Sequence, residues 1–258
     1  MNTRTEPSSY VISYLNLRKT VGCIAILLPL GLGAGVIVLG SAIPSSVSGY
    51  YYSPMRNVLV AALCVLGMFL ITYNGYDSMD SRVTNVAGGA AIGVAFFPTS
   101  SPSFSPAWVG SVHPVFAGVA LTAQALMALQ FTSTDKDAGG GWVQDLKRMG
   151  LALLFRYSVP RGGQRAPGSR KMIRNRIYSG CAWAILVGVV LALMQNFWPP
   201  SVKQVTPWLF WFEALAIMSF GFSWLVKGEA ILADKPAAAA VQPTETAVLA
   251  ARGVTASS

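Results

Sequence analysis

Six stretches of the chain stay apolar for long enough to cross a bilayer, with polar segments between them. A hydrocarbon core needs about 20 predominantly apolar residues per helix, with a range of roughly 17 to 25. The stretches are 21–43, 57–73, 83–99, 113–131, 177–196 and 207–226. The third, VTNVAGGAAIGVAFFPT, is the least apolar. Lipid offers a backbone N–H no partner, so each stretch is expected as a helix rather than a strand. The pattern predicts an all-α fold, a polytopic membrane helical bundle of about six transmembrane helices. Residues 1–20 precede the bundle, 21–226 form it, and 132–176 interrupt it as a long loop. Residues 227–258, rich in Ala, Thr and Ser towards their end, are expected as a largely disordered tail.

Composition narrows the class. Of the 258 residues, 53% are apolar and 11% charged, whereas a soluble domain carries roughly 25% charge. That balance excludes an ordinary water-soluble enzyme, a disordered chain and a coiled coil. One His and three Cys exclude a His-rich metal site and a disulfide scaffold. Neither a metal nor another cofactor is expected.

Charge then sets direction. With six spans, segments 1–20, 74–82, 132–176 and 227–258 share one side, and only Arg56 and Lys203 of the 19 Lys/Arg fall on the other. Cytoplasmic loops are the ones that keep such cations. Both termini are therefore expected in the cytoplasm, and the protein as multi-pass in a cell inner membrane. This bias accounts for the basic charge without a nucleic-acid partner. Within the long loop, Trp142, Leu146, Met149 and Leu153 share a helical face beside Lys147, Arg148 and Arg156. That pattern suits a short helix lying on anionic lipid headgroups.

Small residues indicate how the helices meet. Gly180, Ala184, Gly188 and Ala192 recur every four residues, as do Gly31 with Gly35 and Gly89 with Gly93. In lipid, close backbone approach through such residues holds helices together. These faces serve packing within the chain, or a homodimer.

Polar groups inside spans mark candidate sites, because they are expensive there. The clearest is Glu213, about 9 Å along its helix from Pro207 at 1.5 Å per residue, in the half of the bilayer away from the cations. Arg56, His113, Tyr51 and Tyr52 are expected in the same leaflet. Arg56 would pair with Glu213 or hold a lipid phosphate. His113 would open its helix at the interface, with Pro114 early in the first turn, or carry a proton. The tyrosines would form an aromatic belt. Gln124 lies eleven residues after His113 on the same helical face, so it would line a polar cavity or bond across helices. The candidate ligand-binding set is thus Arg56, His113, Glu213, Tyr51, Tyr52 and Gln124, with Glu213 and His113 as candidate catalytic groups. Two functions follow as expectations. One is a lipid- or partner-binding membrane protein. The alternative is a membrane-embedded enzyme on a lipid or isoprenoid, with Glu213 as proton donor.

SVSGYYYSPMRN (46–57), NGYDSMD (74–80), GGAAIGVAFFPTS (88–100), RNRIYSGCAW (174–183) and FWFEALAIMSFGFSWLVKGE (210–229) together resemble a bacterial family of multi-spanning membrane proteins to which no activity is attached. The architecture is also similar to DRAM-like six-span proteins. The resemblance implies the same six-helix bundle. A likeness to alkaline ceramidase-like hydrolases stops at the metal site. That family sets several His and an Asp around zinc, and this chain has only His113.

Overall fold

The computed structural model describes residues 9–75, 78–100, 107–132, 170–199, 201–202 and 207–232. Among these residues there is no strand. The long helices are α1 (Ser9–Val38), α2 (Arg56–Thr72), α3 (Ser78–Phe96), α4 (Ala107–Gln130), α5 (Arg170–Met194) and α6 (Trp208–Lys227). Short 3-10 turns cover Ser48–Tyr52 and Gln195–Phe197. Within α1, α4, α5 and α6 lie four segments long and apolar enough to cross a membrane. α2 is apolar but has 17 residues, about 26 Å of helix. α3 has 19 residues, and Asp80, Arg82, Thr84 and Asn85 in its first turns make it the most polar of the set.

Several helix ends differ from expectation. α1 begins at Ser9, so the polar lead 9–20 is continuous with the first span. It stops at Val38 rather than 43, because Gly40 turns to φ +66°. There the Ser41 N–H bonds the Val36 carbonyl at 2.8 Å and the Gly40 N–H bonds that of Ile37 at 3.0 Å. A left-handed glycine with this bond pair satisfies carbonyls that a helix end leaves open. α4 begins at Ala107 and α5 at Arg170, so the last residues of the long loop belong to a helix. The expected interfacial helix around Trp142, most of that loop, Lys203 and the tail from 233 onward lie outside the described residues.

Consecutive helices run antiparallel. The Arg18 end of α1 meets Tyr73 beyond α2, the far end of α3 meets the start of α4 at Phe97 and His113, and Phe131 after α4 meets Tyr178 early in α5. Trp198 after α5 then meets Trp208 at the start of α6. Among the described Lys and Arg residues, this alternation gathers Arg18, Lys19, Arg82, Arg170, Lys171, Arg174, Arg176 and Lys227 at one end and leaves Arg56 at the other.

Two glycine crossings set the closest approaches. A Cβ built on Gly221 of α6 would lie 2.8 Å from the Gly22 carbonyl oxygen of α1, and one on Gly22 2.8 Å from that of Gly221. Gly67 of α2 and Gly88 of α3 face each other the same way, at 2.8 and 2.5 Å. Of the small residues singled out above, Gly188 packs on the Phe212 carbonyl of α6, Gly93 on Phe116 and Gly35 on Met55. Gly31, Gly89 and Gly180 have nothing within 4 Å of such a Cβ. The three cysteines are free.

The cation-rich end is filled. Trp224 of α6 is fully buried, with ring centroids of Tyr73, Phe131 and Phe220 at 4.9, 5.5 and 5.8 Å. Arg18, 4% exposed, stacks over Tyr14 at 4.6 Å. It donates to the Tyr73 hydroxyl at 3.0 Å and to the Lys227 carbonyl at 3.5 Å. Aromatic faces and the open carbonyls of a helix C-terminus are the partners that make a buried guanidinium tolerable.

If the crossings set the packing, Gly221→Ala and Gly67→Ala each lower stability in detergent by about 1–3 kcal/mol, the usual cost of overpacking. Gly31→Ala leaves the unfolding midpoint unchanged or slightly higher, because alanine is the better helix former. Equal midpoints for Gly221→Ala and Gly31→Ala would contradict the crossing.

Candidate functional site

The site begins with the loop between α1 and α2. Its Val47 and Tyr50 side chains are buried against Leu28, Leu32 and Val36 of α1, Leu59 of α2, and Phe210 and Ala214 of α6. The first N–H groups of a helical turn have no partner within the turn, and close to lipid they need one. Glu213 supplies it. Its Oε2 accepts from the Val47 N–H at 2.6 Å and the Ser48 N–H at 3.3 Å. In return the Ser45 carbonyl accepts the Phe210 N–H at 2.8 Å, one of the open donors at the start of α6. The loop and α6 thus cap each other.

The end of α3 is closed by the same logic. The Phe97 carbonyl accepts from His113 Nδ1 at 2.7 Å, and the Thr99 carbonyl accepts from the Tyr52 hydroxyl at 2.7 Å. A carbonyl oxygen only accepts, so Nδ1 carries the proton. In the neutral ring Nε2 is then the bare acceptor.

Beneath the loop lies a cavity of about 70 Å³ between α2, α3, α4 and α6. Tyr51, His113, Gln124 and Glu213 line it together with Ser48 and an otherwise apolar wall. His113 and Gln124 are about 16 Å apart along α4 at 1.5 Å per residue, so the polar groups reach from its mouth into its depth. Gln124 Oε1 is buried and has no hydrogen-bond partner. Space exists because the facing positions are small: Ala91 and Ala95 on α3, Ala117 and Ala120 on α4.

Four of the six expected ligand-binding residues therefore meet in one cavity, and two do not line it. Tyr52 is turned to Thr99. Arg56 is exposed, donates to the Tyr51 hydroxyl at 2.6 Å and stacks over that ring at 4.2 Å. The expected Arg56–Glu213 ion pair is thus replaced. Backbone N–H groups reach the carboxylate first, because the 3-10 turn lies directly over it. His113 does not open its helix either: α4 starts at Ala107, so His113 lies in the second turn, 7% exposed. Pro114 follows inside the helix, where it removes a backbone donor. The alanines at 117 and 120 are cavity-formers that the sequence analysis passed over. Their signal was the spacing 113, 117, 120, 124, a single face of one helix.

Glu213→Leu should cost about 1–3 kcal/mol for each N–H it leaves unpaired under the loop, measured by unfolding in detergent. Glu213→Gln keeps an acceptor and should lose markedly less. A Glu213→Leu protein as stable as the parent would remove the carboxylate from its capping role. Comparison with protein-family models, curated proteins and solved structures finds no match to this chain.

Proposed function

We propose that this protein is a multi-pass membrane protein that binds a lipid-like ligand in the cavity under the Ser48–Tyr52 turn. One observation carries the reading. Tyr51, His113, Gln124 and Glu213 come from the loop, α4 and α6 to line a single, otherwise apolar space. Ligand sites have that make-up, an apolar wall with a few placed polar groups. Polar side chains among membrane helices are retained where they serve a function.

The cation-rich end faces the cytoplasm in this reading, by the rule that cations stay inside. The cavity then opens towards the outer leaflet of a bacterial inner membrane. Binding is preferred to lipid chemistry with Glu213 as proton donor. The carboxylate is already held by two backbone hydrogen bonds from the loop, which suits a fixed wall of a site better than a group that must exchange a proton.

Gently solubilised protein, extracted and analysed by mass spectrometry, should carry a ligand enriched over bulk lipid. Ala120→Trp, which fills the cavity from α4, should lose it while keeping its unfolding midpoint. Equal lipid in the two proteins would overturn the proposal.

A further inference from the structure

The polar groups in the cavity present acceptors at His113, Glu213 and Gln124 beside the donors of the Gln124 amide and the Tyr51 hydroxyl, and the acceptors limit what can enter. His113 presents Nε2 as a bare acceptor, because Nδ1 is committed to Phe97. Glu213 has about four acceptor sites on its carboxylate, and the loop occupies two. Gln124 offers a buried oxygen with no partner. Against these, Tyr51 contributes a hydroxyl whose oxygen already accepts from Arg56. A buried acceptor left without a donor is costly. A second carboxylate or a phosphate beside Glu213 would add charge repulsion at low dielectric.

We infer that the ligand is an apolar chain whose head donates hydrogen bonds, a hydroxyl or a primary amine, and that the cavity selects against anionic amphiphiles. This rests on the binding reading above and specifies its ligand class. The head sits at His113 and Glu213, and the chain follows the alanine faces of α3 and α4 towards Gln124. Arg56 is turned out onto Tyr51 and does not line the cavity, so among the described residues no positive group lines it to receive an anion.

The chain has one histidine, which gives a background-free spectroscopic reporter. The full-length protein, labelled with [15N]histidine and purified without a histidine tag, is titrated in detergent with decanol, decylamine, decyl methyl ether and decanoate. Decanol or decylamine should shift the Nε2 resonance and bind at least ten-fold more tightly than the ether or decanoate. If decylamine alone binds, the head is a cation; if decanol binds too, the head need only be a donor.

If the ether or decanoate binds as well as decanol, and Ala120→Trp abolishes both, the donor rule fails while the cavity remains a binding site. If none of the four compounds binds, or Ala120→Trp binds them like the parent, the cavity-binding reading fails with it.

Discussion

A carboxylate among membrane helices has to find donors, and here the nearest are the open N–H groups of a loop. That exchange between Glu213 and the Val47–Ser48 backbone organises the cation-poor end of the protein. It ties α6 to the segment joining α1 and α2, and it seats Val47 and Tyr50 in the core. It also fixes one wall of the cavity. The Ser45 carbonyl on Phe210 completes the exchange in the opposite direction. Replacing one half leaves the other half unsatisfied, so the two elements are coupled by desolvation as much as by attraction.

The remaining polar side chains at this end follow the same rule. His113 and Tyr52 each close a carbonyl beyond α3, and Arg56 rests on Tyr51. His113, Tyr51 and Glu213 therefore do structural work as well, and the site is assembled from their unused atoms. The opposite end shows the alternative outcome. There large rings around Trp224 and the buried Arg18 fill the interior, whereas alanines on α3 and α4 leave it open beneath the loop.

Much of the fold was legible because lipid imposes length and hydropathy on helices and charge on their ends. Among the described residues, the six long helices, the absence of strands and the alternation that gathers the cations fit those constraints. Helix faces did not follow. α1 is apolar all round, so periodicity could not show that Val21, Ala25, Leu28, Leu32 and Val36 face inward while Leu27, Leu30 and Ile37 face out. The Gly22–Gly221 and Gly67–Gly88 crossings join residues remote in sequence, and no spacing within one helix reveals them. For the site, His113, Tyr51 and Glu213 are legible as polar residues expected in one leaflet, and Gln124 as the deeper polar residue on the helical face of His113. The Arg56 pairing was misjudged because the competing donors are backbone groups, which look alike in every sequence. Helix starts differ where polar residues continue a helix beyond its apolar stretch, as at Ser9 and Arg170.

Amide hydrogen exchange at Val47 and Ser48, measured on the protein in lipid nanodiscs, tests the central claim most directly. With the carboxylate holding both N–H groups, these amides should exchange slowly beside the unbonded positions of the same loop, and should lose that protection in Glu213→Leu. Rapid exchange at both amides in the unmodified protein would contradict the account.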